Sequence, residues 1–351
     1  MNQNGVMAMT QPLVLPDIGR RVAVLGAGSW GTTFAKILGD AGNSVAVWAR
    51  RPELAREISQ SHRNSDYLPG INLPRGVAAS PRLPEVLDGA EQVYLSVPAQ
   101  ALRENLRIVK ELIPATATIV SLMKGVERGT LARMSEVILA ELGIDPERVA
   151  VVSGPNLALE IAKEQPTAAV VSSMSLATAS DVAATASNRY FRCFVNTDVV
   201  GTEFGGVLKN LIAVAIGIVD GVGYGENTKA SIITRGLVEM TDFAVAHGAL
   251  PETMSGLAGL GDLIATCESP LSRNNTAGRL LGQGYDYAEV VAQMNQTAEG
   301  LASVAPVLEL AAAKGVEMPI VMQVAEVLAG TLAPRDLAPH LTTDTTEPQG
   351  E

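Results

Sequence analysis

The chain has 351 residues, 47% of them hydrophobic but only 4% aromatic, and it contains 33 glycines. That length points to two domains, because single cores stop growing at about 250 to 300 residues. A formal net charge of −11 excludes nucleic acid or an anionic membrane as the main partner, since both require a basic face, so any anionic ligand must be met by local cations.

Cys193 and Cys267 are too few and too far apart for a disulfide framework, which points to a reducing compartment, and His62, His247 and His340 have no metal-ligand spacing. No metal is therefore expected. Residues 1–19 carry no positive charge and no apolar run long enough for a signal peptide, and read as a flexible N-terminal arm. The longest apolar run, Leu211 to Val219, is nine residues against the roughly 20 of a membrane span. A cytoplasmic protein with no membrane span is expected.

From Arg21 onward, short β-like runs start at Arg21, Ser44, Gln92, Ala117, Val149, Thr167 and Phe191, most of them separated by helical patterns. Continuous Val-rich runs alternating with helices predict a parallel sheet covered on both faces, an α/β doubly wound Rossmann-type domain over residues 20–202. Past Thr202 the strand-like runs stop and helical periodicity takes over, predicting an all-α domain over 203–333. The Pro- and Thr-rich remainder, 334–351, reads as a disordered tail.

The first strand, "RVAVLG", runs into Gly26-Ala27-Gly28-Ser29-Trp30-Gly31 and then an amphipathic helix. In this context Gly26, Gly28 and Gly31 suit a dinucleotide fingerprint: a tight turn, close approach to a pyrophosphate, and packing of helix on strand. The helix N-terminus supplies amide donors to the phosphates. At the end of the second strand stand Arg50 and Arg51 in place of the acid that binds the ribose of NAD, and two guanidiniums favour a 2′-phosphate. NADPH is thus preferred to NADH.

Ligands of such sheets lie beyond the carboxyl ends of the strands. "SVPAQALR" places Pro98 where a helix begins. "SLMKG" places Lys124 after a strand, where it could hold an anionic or carbonyl oxygen or simply be a solvated loop lysine. "SGPNLALE" brings Gly154 and Asn156, which read equally well as a turn glycine and an N-cap. Further on, Asp262 sits in the Gly-rich "GLAGLGDL" as a turn-former or a partner for a lysine, while Ser272, Arg273 and Asn274 open a helix with an amide, hydroxyl and guanidinium set suited to a phosphate, or, taken alone, an ordinary N-cap followed by a surface arginine.

Lys209, in "GGVLKNLIAVAIGIVDG", has only Gly205, Gly206, Ile212 and Ala213 as neighbours three and four residues away. Its side chain should lean over the two glycines, where there would be room for a ligand, and desolvation would lower its pKa toward the range useful for proton transfer. A lysine snorkelling to water is the competing reading.

These blocks, with "GENTKA", "SRNN" and "EG" at Glu299-Gly300, resemble bacterial NAD(P)-dependent glycerol-3-phosphate dehydrogenase over about residues 20 to 333. The resemblance implies reversible reduction of dihydroxyacetone phosphate to sn-glycerol 3-phosphate, a phospholipid precursor, in a homodimer. It implies Lys209 as proton donor and acceptor, with Lys124 touching both substrate and cofactor. Gly154, Asn156, Asp262, Ser272, Arg273 and Asn274 would line the substrate site. Ser29, Trp30, Arg50, Arg51, Ala158, Arg273, Thr297 and Glu299 would contact NADPH or NADH. Asn156 departs from the family's usual Thr or Ser, and Thr297 from a more apolar residue. Two other readings share the nucleotide domain: a ketopantoate-type reductase, which has no need of "SRNN", and a non-catalytic NADPH sensor, which gives no reason for the lysines, Asp262 and Arg273 to coexist.

Overall fold

The computed structural model describes residues 19–294 and 298–337, together with Leu13 and Leu15. Eight strands form one sheet: β1 Arg21–Leu25, β2 Ser44–Trp48, β3 Val77–Ser80, β4 Gln92–Leu95, β5 Thr118–Ser121, β6 Val149–Ser153, β7 Thr167–Ser173 and β8 Phe191–Asn196. Their order is β3-β2-β1-β4-β5-β6-β7-β8, with the direction of winding reversing between β1 and β4, where a doubly wound sheet opens its ligand crevice.

Two features differ from the sequence expectation. β3, "VAAS", was not among the expected strands; it is short, and its two alanines carry little strand propensity. The sheet is also not wholly parallel, because β6 and β7 pair antiparallel, with Ala150 opposite Ser173 and Ser153 opposite Val170. The segment joining them contains a helix of only five residues, and the chain turns back beside β6 instead of crossing over the sheet.

Helices α1 Ser29–Asp40, α2 Pro52–Arg56, α3 Leu83–Leu87, α4 Leu102–Val109, α5 Met134–Leu142, α6 Ala158–Ala162 and α7 Leu176–Ala186 accompany the sheet. They cover both faces over two apolar clusters, one around Phe34, Tyr94 and Phe191, the other around Leu25, Leu95 and Ile119. Leu13 and Leu15, in the expected N-terminal arm, pack on the second.

The helical part follows: α8 Val199–Val222, α9 Glu226–Ala246, α10 Pro251–Met254, α11 Asp262–Glu268, α12 Arg273–Gly282, α13 Tyr287–Gln293, α14 Glu299–Lys314 and α15 Pro319–Ala329. The 202/203 boundary falls within the first turn of α8. By length and apolarity α8 could cross a membrane, but 83% of its most apolar window is buried inside the protein, so its composition reflects its place as the core helix.

Glycines allow the tightest packing. A Cβ on Gly217 of α8 would lie 2.1 Å from the Asn275 carbonyl oxygen, and one on Gly278 of α12 would lie 2.1 Å from that of Val214. The two helices therefore meet backbone to backbone, which places the start of α12 beside the middle of α8. Of the expected tail, residues 334–337 pack here too: Leu337 is fully buried, and the Tyr224 hydroxyl donates to the Arg335 carbonyl at 2.5 Å.

The sheet and the helical part are joined by a buried ion pair. Glu203 of α8 accepts from the Ser135 amide at 2.8 Å, the Ser135 hydroxyl at 2.6 Å and Arg133 Nη1 at 2.6 Å. The Arg133 guanidinium lies 5.9 Å from the centroid of the Phe204 ring.

Candidate active site

The dinucleotide turn is built as the glycine pattern requires. Gly26 has φ +121°, and a Cβ there would lie 2.2 Å from the Ser96 carbonyl oxygen; only glycine fits. Gly31 packs equally tightly on the Gly26 carbonyl, whereas Gly28, the N-cap of α1, has nothing within 4 Å of where its Cβ would be. No side chain caps α1, so the amides of its first turn are available to a pyrophosphate set against that open glycine. These features fit a dinucleotide.

Around the turn, Ser29 Oγ donates to the Tyr67 carbonyl at 3.0 Å and Trp30 Nε1 to that of Leu122 at 3.2 Å. The Ala158 carbonyl accepts from Thr33 Oγ1 at 3.3 Å, which ties the start of α6 to α1. Arg50 and Arg51 both lie exposed at the end of β2. Arg51 is not free, however: its Nη2 pairs with Asp66 at 2.5 Å. Thr297 lies outside the described residues.

The chemistry-bearing residues converge where the ends of β5 and β6 meet α8, α11 and α12. Asp262, the first residue of α11, is 1% exposed and holds one lysine on each oxygen. Lys209 Nζ donates to Oδ1 at 3.0 Å, and Lys124 Nζ donates to Oδ2 and to the Gly154 carbonyl at 3.1 Å. Lys209 also donates to Thr266 Oγ1 at 2.6 Å, and that hydroxyl donates on to Asp262 Oδ1 at 3.2 Å. Two ammonium groups on one carboxylate leave a net positive charge to meet an anionic substrate.

Burial pulls the Lys209 pKa down to about 8; Asp262 pushes it up and Lys124 pushes it down. A lysine so placed exchanges its proton near neutral pH. The snorkelling alternative does not hold, since Lys209 is 7% exposed.

The room expected beside the paired glycines is filled. A Cβ on Gly205 would lie 2.4 Å from the Ala258 carbonyl oxygen, and one on Gly206 would lie 3.0 Å from Ser153 Oγ and 3.2 Å from Lys124 Cδ. The glycines thus let the Ala258 backbone and the Lys124 stem close on α8, which carries the two ammonium groups onto one acid.

Gly154, at φ +125°, follows β6. Beside it the buried side-chain oxygen and nitrogen of Asn156 and the hydroxyl of Ser153 have no hydrogen-bond partner. Buried polar groups left unpaired are costly, and a substrate oxygen in this position would relieve them.

Of the "SRNN" set, Ser272 is the N-cap of α12 and accepts from the Asn275 amide at 3.2 Å. Asn274 is taken up by the scaffold: its Nδ2 donates to Asn210 Oδ1 at 2.8 Å and its Oδ1 accepts from the Gly300 amide at 3.0 Å. Arg273 is exposed. Its charge reaches Glu299, whose carboxyl is pushed up by burial and pulled down by Arg273, Lys124, Lys209 and the Ala99 amide. Sequence reading missed Thr266 and Asn210. Thr266 had one available signal, a hydroxyl one helical turn after Asp262 on the same face.

A Rossmann-type sheet with a dinucleotide turn, whose strand-end Lys124 shares the buried Asp262 with the buried Lys209 of a second, helical part, defines an NAD(P)-dependent oxidoreductase. Residues 21–179 match the N-terminal model of NAD-dependent glycerol-3-phosphate dehydrogenase and residues 198–339 its C-terminal model. An NAD(P)+ glycerol-3-phosphate dehydrogenase of Leifsonia xyli subsp. xyli is 76% identical over 329 residues, 93% of this chain and 89% of that one. The Corynebacterium glutamicum enzyme of the same name is 54% identical over 304 residues, 86% and 92% of the two chains. The crystal structure of glycerol-3-phosphate dehydrogenase from Coxiella burnetii superposes with a TM-score of 0.85 at 37% identity, covering 91% of this chain and 98% of that one.

The chain belongs to the NAD-dependent glycerol-3-phosphate dehydrogenase family. It is an enzyme that interconverts dihydroxyacetone phosphate and glycerol 3-phosphate with NAD(P)(H), a reaction of phospholipid metabolism.

Proposed function

We propose that Lys209 moves the proton at the C2 oxygen of the substrate, while Lys124 holds that end of the substrate against the nucleotide. The observation that carries this reading is the sharing of Asp262 by the two lysines, with Lys209 buried and its pKa near 8. The nicotinamide, when bound, supplies or takes up hydride at C2. In reduction, negative charge grows on the carbonyl oxygen, and the Lys209 ammonium neutralises and protonates it. In oxidation, the neutral amine accepts the hydroxyl proton.

Asp262 keeps Lys209 and Lys124 oriented, and Thr266, by donating to Asp262, presents a lone pair that fixes the Lys209 rotamer. Gly154, Asn156 and Ser272 line the substrate, and Arg273 meets its phosphate. Asn274 contributes by tying α8, α12 and α14 together around them. Gly26, Gly28, Ser29, Trp30 and Gly31 form the pyrophosphate turn. Arg50 and Arg51 favour NADPH over NADH, and Ala158, Lys124, Arg273, Thr297 and Glu299 complete the cofactor side. Residues 20–202 act as the nucleotide unit and 203–333 as the substrate unit of a cytoplasmic homodimer, and no step is assigned to a metal.

The phosphate assignment is tested with NADPH and two ketones. Dihydroxyacetone phosphate should be reduced with a kcat/KM at least about 100-fold above that of unphosphorylated dihydroxyacetone, the scale of a charge-assisted hydrogen-bonded contact. Equal rates would remove the phosphate from the account, and no turnover of the phosphate ester would sink the reading.

A further inference from the structure

A site for the unphosphorylated nucleotide needs an acid at the end of β2 to accept the ribose 2′-hydroxyl, and the chain has Arg50 and Arg51 there. In the fold, an acid reaches this place from a different segment. Asp66 lies on the excursion between α2 and β3, and its carboxylate sits 2.5 Å from Arg51 Nη2. The neighbouring Tyr67 ring lies against the same guanidinium, 6.0 Å from centroid to Cζ.

The excursion is fastened to the dinucleotide turn itself. Asn64, fully buried, donates to the Ala27 carbonyl at 3.0 Å and to Thr32 Oγ1 at 2.7 Å, and its Oδ1 accepts from the Tyr67 amide at 3.2 Å. Ser29 Oγ, on the first residue of α1, donates to the Tyr67 carbonyl, and Ser65 is held by Glu57. Asp66 stands between two anchored residues, so its carboxylate is registered on the turn that would carry the pyrophosphate. Arg50, by contrast, forms no ion pair among the described residues.

We propose that Asp66 sets the balance between the two nucleotides. This rests on the reading of the glycine turn as the dinucleotide site. Toward a nucleotide with a free 2′-hydroxyl, the Asp66 carboxylate is the hydrogen-bond acceptor that β2 lacks. Toward a nucleotide with a 2′-phosphate, the same carboxylate is a like charge that holds Arg51 back, and Arg50 meets the phosphate first. One position thus serves both nucleotides because the acid and the arginines come from separate segments.

The test is calorimetric titration of the full chain and of Asp66→Asn with NADPH, NADH and 2′,5′-ADP, at equal ionic strength and without substrate. In the variant, NADPH and 2′,5′-ADP should bind roughly 2- to 5-fold more tightly, as expected for releasing an exposed ion pair. NADH should bind about 3- to 10-fold more weakly, through loss of a charged acceptor. Unchanged affinities, or a change by one common factor for NADPH and NADH, would overturn the role of Asp66 while leaving the nucleotide site in place. Failure of the unaltered chain to bind either nucleotide would overturn the dinucleotide reading, and this inference with it.

Discussion

Lys209→Ala is expected to lower turnover of dihydroxyacetone phosphate by at least about 100-fold, the scale of a lost general acid, with NADPH affinity kept. The expectation follows from where the charge goes. Lys209 donates to Asp262 and Thr266 from the middle of the core helix, and among the described residues the only other ammonium on that carboxylate is Lys124. Lys124 is tied to the Gly154 carbonyl as well, so it cannot replace Lys209 without giving up that bond. The fold should survive, because Asp262 retains Lys124 as its counter-ion and a truncated lysine leaves no buried charge unpaired. Turnover within a few-fold of the unaltered enzyme would remove Lys209 from the chemistry, and loss of NADPH binding in calorimetry would make its role structural.

Arg133→Met should cost about 3 to 5 kcal/mol of stability, the range for stripping a buried charge of its partner. Glu203 is 4% exposed and keeps only the Ser135 amide and hydroxyl once the guanidinium is gone. Burial already pushes its carboxyl up against the pull of Arg133, and removing Arg133 pushes it further. A carboxyl whose pKa is higher folded than unfolded adds stability below its unfolded value and loses it as pH rises through the folded value. The variant should therefore recover toward acid pH: its urea midpoint should lie closer to that of the unaltered chain at about pH 5 than at about pH 8. A loss below about 1 kcal/mol, or a gap that widens toward acid, would show that Glu203 is not held as an ion.

How far the sequence reached depended on whether a residue acts through its neighbours in the chain or across the fold. Gly26, Gly28 and Gly31 were legible because strand, turn and helix are contiguous, and the open space at Gly28 against the crowding at Gly26 and Gly31 follows their spacing. The helix around Lys209 was legible from its period. Lys124 and Asp262 could be selected by their positions after a strand and in a Gly-rich loop, but the sharing of the Asp262 carboxylate by Lys124 and Lys209 depends on β5, α8 and α11 meeting, which spacing does not encode. The same limit explains Thr266 and Asn210, whose partners lie on other elements, and the paired glycines beside Lys209, which admit backbone and a lysine stem rather than a ligand. Arg51 looked free for a phosphate because its counter-ion, Asp66, is fixed there by Asn64, a contact between segments far apart in the chain. The antiparallel turn from β6 to β7 left no mark in a pattern where parallel and antiparallel buried strands both read as Val-rich runs.

If one buried lysine gives the proton in reduction and takes it in oxidation, kcat/KM must depend on pH in opposite senses in the two directions, since that ratio reports groups of the free enzyme. With Lys209 drawn down to about 8, reduction of dihydroxyacetone phosphate should fall as pH rises through about 8 and the ammonium is lost. Oxidation of glycerol 3-phosphate should fall as pH drops through the same value and the free amine is lost. Mirror-image limbs meeting near that pH are expected; limbs that fall in the same direction, or rates flat across it in both directions, would show that Lys209 is not the proton-transfer group.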